Sequence, residues 1–338
     1  VTAAGGDYRA PAWLRGAHLQ TIVPSMLARR PSVDYRRERW DTPDGDFIDL
    51  DWLGSPPGGR GGAVLALFHG LEGSSDSHYA RALMAEARAR GLDAVVVHFR
   101  GCSGEPNRLP RAYHSGDSDE ADWVLRRLAA RVRSRPLFAA GVSLGANLLL
   151  KWLGERGTDA GFVAAAAAIS APQDLHAGAI ALSRGFNRLY AESFLRSLRR
   201  KSAAFDARHP GRFDLARVAA SRDFFEFDDA FTAPLHGFAG ALDYWRRSSC
   251  RQFLPGITVP TLVVNALNDP FLPAAALARP DQVSAAVRLE YPAEGGHVGF
   301  ATGGPPGRLD WLPRRMFAHF EQVLGMAPAG SGRRHAAG

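Results

Sequence analysis

The chain has 338 residues, 46% of them hydrophobic and 22% charged, and a formal net charge of +7. That apolar share supports a sizeable core and excludes wholesale disorder, and the length fits one large α/β domain or two modest ones. No apolar run reaches the roughly 20 residues that span a bilayer, and the first residues lack a signal peptide's apolar stretch of about 7–15 residues. Cys102 and Cys250 are the only cysteines and neither sits in a CxxC, which excludes a disulfide framework. A reducing cytoplasm is the compartment this usage fits. Lys151 and Lys201 are the only lysines; the remaining basic residues are arginines spread through every predicted element. Such a scatter, without zinc-finger, leucine-zipper or RNA-recognition spacing, argues against a nucleic-acid partner. An anionic membrane surface remains as a macromolecular contact, with the densest cationic helix at Phe194 to Lys201.

In chain order, residues 1–10 and 325–338 read as loose ends. From Arg37 to Leu53 apolar and polar residues alternate about Pro43-Asp44-Gly45, which predicts a β-hairpin. After a glycine-rich stretch, strands and helices alternate: a strand over Ala63–Phe68, a helix near Tyr79–Ala89, a strand over Ala94–Phe99, a helix near Ser118–Arg131. The strand Leu137–Ala140, a helix near Ala146–Gly154 and the run Phe162–Ile169 follow. This rhythm predicts a mostly parallel sheet with helices on both faces and the hairpin at one edge. From about 172 to 255 the alternation gives way to a helical, arginine- and aromatic-rich block, expected to be a cap inserted into one domain over 11–324. The rhythm resumes with the strand Thr261–Asn265, a helix near Pro273–Ala278, the strand Val287–Tyr291 and a last helix from Leu312 to Val323.

The strongest chemical signal is Gly141-Val142-Ser143-Leu144-Gly145, between a strand and a helix. Flanking glycines permit a sharp turn that lifts the serine above the carboxyl edge of the sheet. A nucleophilic serine needs a base, and the base an orienting acid, in the order serine, acid, histidine in this setting. Asp269 and His297 end the next two strands on the same edge, so the expected triad is Ser143, Asp269 and His297. Of the eleven histidines, His18, His176, His209, His236, His319 and His335 lack that placement, and His98 lies upstream of the serine. Asp243 falls in the inserted block and Asp281 beyond a helix. Cys102 leads into Pro106 and Pro110 instead of a helix and reads as part of a turn. The oxyanion donors expected are the backbone N–H groups of Leu144 and of Leu71, the latter in the run His69-Gly-Leu-Glu-Gly73; His69 and Glu72 read as loop-fixing partners. No cofactor or metal is implied: there is no P-loop, no dinucleotide turn and no HExxH, and His114, Asp117 and Asp119 sit where a helix wants caps. Phe186, Tyr190, Phe194, Phe224, Phe225, Phe227 and Phe231 are candidates to line an acyl pocket or simply to pack the cap.

Taken together, AHLQT at 17–21, HGLEGSSDSHYAR at 69–81, FRGCSGEPNRLPRAYHSGDSDE at 99–120, GVSLGANLLLKWLGE at 141–155, ND–P at 268–270 and GGHVGF at 295–300 resemble the YheT-type branch of the α/β-hydrolases. That branch also holds the eukaryotic medium-chain ethyl-ester synthase/esterases and membrane-anchored lipases, whose N-terminal membrane helix has no counterpart here. The resemblance runs from about residue 11 to 324 and implies the α/β-hydrolase fold, the same triad, and hydrolysis of carboxylic esters of short or medium acyl chains. The expected partner is thus a small-molecule acyl ester. Transfer to an alcohol or thioester cleavage would use the same residues, and a non-catalytic lipid-binding scaffold is the alternative of a different class. Oligomeric state is not legible in the sequence.

Overall fold

The hairpin residues 35–53 form the antiparallel pair β1 (Tyr35–Asp41) and β2 (Phe47–Leu53), which the computed structural model pairs in register from Tyr35 opposite Leu53 to Asp41 opposite Phe47. The structure describes residues 8–54 and 62–325. Alternation along β2 would suit a sheet wet on one face, yet every residue of β2 is buried. Asp49 and Asp51 are tolerated because Arg39 and Arg37, directly opposite on β1, each clasp one of them through two N–H groups at 2.8–2.9 Å.

The apolar runs that follow become β3 (Val64–Phe68), β4 (Asp93–Val97), β5 (Leu137–Val142), β6 (Ala165–Ile169), β7 (Thr261–Val264) and β8 (Val287–Glu290). The eight strands lie in the order β1-β2-β4-β3-β5-β6-β7-β8, all parallel from β4 onward. Strands covered on both faces need apolar residues at successive positions, and VLALF, DAVVV and AAAAI supply them. On one face α2 (His78–Ala89) and α11 (Trp311–Val323) bring Leu83, Met84, Met316 and Phe317 against Leu65, Leu67 and Val96. On the other, α3 (Ser118–Val132) and α4 (Leu144–Arg156) bring Leu125, Leu128, Leu149 and Trp152 against Val64, Ala66 and Val95.

Between β6 and β7 run α5 (Leu175–Leu182), α6 (Asn187–Asp206), α7 (Leu215–Ala220), α8 (Phe224–Phe227), α9 (Ala233–His236) and α10 (Ala241–Ser248), with a π-turn over Asp228–Thr232 joining α8 to α9. They share a small core of Leu195, Val218, Phe227, Tyr244 and Trp245.

Three regions differ from the sequence reading. A helix α1 (Ala17–Met26) precedes the hairpin where none was expected. The helix expected at Pro273–Ala278 is a single 3₁₀ turn, Ala274–Ala276; Pro270, Pro273 and Pro280 leave too short a stretch for an α-helix. The loose ends expected at 1–10 and 325–338 lie for the most part outside the described residues, but Tyr8 is buried. Its hydroxyl donates to the Ala301 carbonyl at 2.7 Å and its ring meets Phe300 and Trp311 edge-on.

Candidate active site

Strand β5 hands over to α4 through one strained residue. Ser143 has φ 54°, a left-handed conformation rare outside glycine, and its N–H is held by the Ile169 carbonyl at 2.8 Å. The glycines on either side are there for space. A β-carbon on Gly141 would lie 2.3 Å from the Gly145 carbonyl oxygen, and one on Gly145 would lie 2.4 Å from that of Phe68. The turn aims Ser143 into a cavity and opens α4 at Leu144, whose N–H finds no acceptor among the described residues. The positive end of the helix therefore faces the serine.

The chains leaving β7 and β8 bring Asp269 and His297 to the same edge. His297 Nε2 stands 2.9 Å from Ser143 Oγ, and His297 Nδ1 stands 2.8 Å from Asp269 Oδ2. The Asp269 carboxylate is fully buried; its other oxygen accepts the Phe271 N–H at 2.8 Å. Phe271 lies along the imidazole with ring centroids 4.2 Å apart.

Two residues that the sequence reading did not single out hold these loops. Gln20, fully buried on α1, donates to the Leu14 carbonyl (2.9 Å) and the Glu294 carboxylate (3.1 Å), and accepts from Asn268 Nδ2 (2.8 Å) and the Gly295 N–H (2.9 Å). Thr21 Oγ1 accepts the His297 N–H at 2.9 Å. Gly296, just before His297, and Gly299, just after it, make room for α1 to approach this loop. A β-carbon on Gly296 would fall 2.7 Å from Thr21 Oγ1, and one on Gly299 would fall 1.8 Å from the Gln20 carbonyl. The signal was the AHLQT run, two polar residues placed where a helix buries its face.

Leu71 lies beside the serine in the loop after β3, and its N–H, like that of Leu144, has no acceptor among the described residues. The loop is pinned at every neighbouring position. Gly70 donates to Tyr79 Oη at 2.8 Å, and Glu72, at φ 55°, donates its N–H to Tyr113 Oη at 3.1 Å. The Glu72 carboxylate accepts from Tyr113 Oη and from Lys201 Nζ of α6, both at 2.8 Å, and from Ser197 Oγ of the same helix. His69 accepts the Phe99 N–H at Nε2 (3.1 Å), so its Nδ1 carries the proton and donates to the Gly70 carbonyl (2.8 Å). Burial pushes its pKa down to about 3, which keeps the ring neutral.

The other candidates are held apart from this constellation. His98 is spent on Asp51 at 2.8 Å. Cys102 touches the cavity, but burial pushes its thiol up to about 11, and the Lys201 ammonium lies 3.5 Å from its sulfur. Asp243 and Asp281 pair with surface arginines. The run at 99–120 builds a buried network. Arg100 binds Asp46 at 2.9 Å and Glu120, and Asn107 and the Arg108 N–H also bind Asp46. Burial, with Asp117 beside it, raises the Glu120 carboxyl to about 7.

Ser143, His297, Leu71 and Leu144 face a cavity of about 860 Å³ roofed by α5, α6 and α8. Of the seven aromatic candidates, Tyr190, Phe194, Phe224, Phe227 and Phe231 line it, whereas Phe186 and Phe225 are exposed on the outside of the insertion. Asp228, also on the lining, accepts from Thr232 Oγ1 (2.6 Å) and Trp245 Nε1 (2.8 Å); burial raises its carboxyl to about 6.

The sheet order, the serine turn and the three strand-end residues are those of an α/β-hydrolase. The family described as the alpha/beta hydrolase fold matches residues 63–304, and the chain belongs to that family and is a hydrolase. It is 40% identical over 301 residues to YheT of Escherichia coli (strain K12), a protein named as an esterase, covering 88% of each chain, which makes it a YheT-type member. Mouse phospholipase ABHD3 is 29% identical over 327 residues, covering 94% of this chain and 78% of ABHD3. The Pyrococcus furiosus esterase Pf2001 has the same fold (TM-score 0.54, 14% identity, 87% of this chain and 92% of that one). Among the described residues no helix is long and apolar enough to cross a membrane.

Proposed function

We propose that the protein hydrolyses carboxylic esters with short- to medium-chain acyl groups through an acyl-enzyme on Ser143. The hydrogen-bonded chain Ser143–His297–Asp269 at the wall of an apolar cavity carries this reading. Ser143 Oγ attacks the acyl carbonyl carbon while its proton passes to His297 Nε2, and Asp269 holds the ring and balances the imidazolium. The tetrahedral oxyanion is held by the Leu71 and Leu144 N–H groups, each donor contributing about 2.7–4 kcal/mol by the measure of comparable sites. Collapse breaks the ester C–O bond, and His297 returns the proton to the departing alcohol. Water then attacks the acyl-enzyme with His297 as base, releasing the carboxylic acid and restoring Ser143.

The substrate class is supported by the names of the relatives and by the aromatic lining, in a cavity toward the upper end of the about 300–1,000 Å³ usual for small-molecule sites. Residues 11–324 act in this reading as one domain, with 172–255 as the cap that closes the acyl site. The experiment is labelling by a fluorophosphonate, then turnover of an ester series from acetyl to palmitoyl, for the parent and Ser143→Ala. The substitution abolishes labelling and lowers kcat by about a millionfold, as in the comparable serine hydrolase subtilisin. Labelling that survives it overturns the assignment of the nucleophile.

A further inference from the structure

Helix α1 wears its amphipathic pattern inside out. Leu19, Ile22, Val23 and Met26 recur at i, i+3, i+4 and i+7, the spacing of one helical face. Leu19 (48%) and Met26 (70%) of that face are exposed, Ile22 and Val23 are half-buried between them, and the exposed Leu27 extends it. Gln20 and Thr21 take the buried side because the Asp269 and His297 loops bond to them. Phe186 continues the patch, its ring 4.5 Å from His18, and so do the exposed Leu189 on α6 and Leu267, next to the Asn268 that bonds Gln20. Among the described residues nothing covers this surface. Contiguous exposed apolar area of this kind marks an interaction site.

The charge on the segments that build most of it, 8–33 and 175–191, has one sign. No Asp or Glu occurs from residue 8 to 33 or from 175 to 191. Arg15, Arg29, Arg30, Arg184 and Arg188 are all exposed there, and none forms an ion pair among the described residues. The cationic run at 194–201 is different, because Arg199 is spent on Glu192 and Lys201 on Glu72. The patch also adjoins the catalytic cavity, which is lined by Thr21 and Ser25 of α1, Gly178 and Leu182 of α5, and Tyr190 of α6.

We propose that this face docks on a lipid surface bearing anionic headgroups. Helix α1 lies in the interface plane with Leu19, Ile22 and Met26 among the acyl chains and the arginines at the headgroups. An acyl ester then passes from the lipid layer to Ser143 between α1 and α6 without crossing water. This delivery role rests on the ester-hydrolase reading; the docking does not.

The test is co-sedimentation of the full chain, as Ser143→Ala so that lipid is not consumed. The vesicles are phosphatidylcholine alone and phosphatidylcholine mixed with phosphatidylglycerol. The parent binds the mixed vesicles more tightly and loses affinity as salt rises. Leu19→Glu with Met26→Glu lowers partitioning by about tenfold or more, and Arg29→Ala with Arg30→Ala lowers it severalfold on the mixed vesicles only. Unchanged thermal unfolding shows that each variant is folded. The proposal is overturned if the parent does not bind, if the Leu19/Met26 variant binds undiminished, or if light scattering finds a parental dimer that this variant dissociates, which assigns the face to a second copy. Vesicle binding in a chain that proves inactive on esters removes the delivery role and leaves the docking intact.

Discussion

Replacing Gln20 by leucine keeps the side-chain volume and removes four hydrogen bonds at once. Two of the four partners, the Leu14 carbonyl and the Gly295 N–H, lie on buried residues and have no route to water. Each is left unsatisfied at about 1–3 kcal/mol, so the substitution destabilises the fold by about 2–6 kcal/mol. Asn268 and Glu294 are only partly buried and recruit solvent. That loss is a large share of the about 5–15 kcal/mol by which a domain is stable, and at about 1.5 °C per kcal/mol for a domain of this size it lowers Tm by about 3–9 °C. The same bonds tie the Asp269 loop to the His297 loop, so the imidazole drifts relative to Ser143. A displacement near 1 Å costs up to about a hundredfold in rate, and kcat is expected to fall about 10- to 100-fold. KM stays near its parental value, because Gln20 does not line the cavity. Scanning calorimetry and steady-state kinetics on a short-chain ester read both effects. A variant melting within about 2 °C of the parent with kcat within about twofold would refute the assignment of α1 as the clamp of the two loops.

Gly145→Ala forces a β-carbon against the Phe68 and His69 carbonyl oxygens, 2.4 and 2.5 Å away. Neither can rotate aside, so the cost reaches or exceeds the about 1–3 kcal/mol of ordinary overpacking and kcat falls at least about a hundredfold; a fully active, equally stable variant contradicts the packing at the turn. Lys201→Met leaves the Glu72 carboxylate without its cation and loosens the loop that carries Leu71. It lowers kcat severalfold with little change in KM, and Lys201→Arg restores most of the loss; an effect confined to KM argues that Lys201 serves substrate instead. Asp228 titrates near 6 in the folded chain because it is buried, against about 3.9 when unfolded. Between about pH 4 and 6 the native state therefore holds a proton that the unfolded chain has released. Stability from this group falls as pH rises through that window. Asp228→Asn accordingly gains Tm relative to the parent between pH 5 and pH 7, and parallel curves would show that the carboxyl is already ionised below pH 5.

The serine turn could be read from five residues because its requirements are local: two glycines for space, a strand before and a helix after. Asp269 and His297 followed from strand order, since each lies in the loop that leaves a parallel strand at the same edge. Helix α1 escaped because the usual reading places an apolar stripe inward, and here Gln20 and Thr21 are inside. The stretch at 273–278 misled in the opposite sense: its alanines favour a helix, but the prolines around it stop one from forming. Which aromatics line the cavity depends on how α6 and α8 roll against the sheet. Residues on the roof, such as Phe194, and outside it, such as Phe225, are alike in sequence.

Among the described residues the sheet has two free edges, and both carry arginine. β1 presents Arg36, Arg37 and Arg39, with Arg37 and Arg39 bound across the strand pair to Asp51 and Asp49. On β8, Arg288 pairs with Glu290, which also takes Arg315 of α11. A further strand added at either edge would have to lie along these guanidinium groups and strip water from them, a defence natural sheets use against edge-to-edge aggregation. Part of the arginine excess that looks undirected in the composition thus keeps an eight-stranded sheet from growing into its neighbours in a crowded solution. Self-association by strand addition is opposed at the cost of a few partly buried ion pairs.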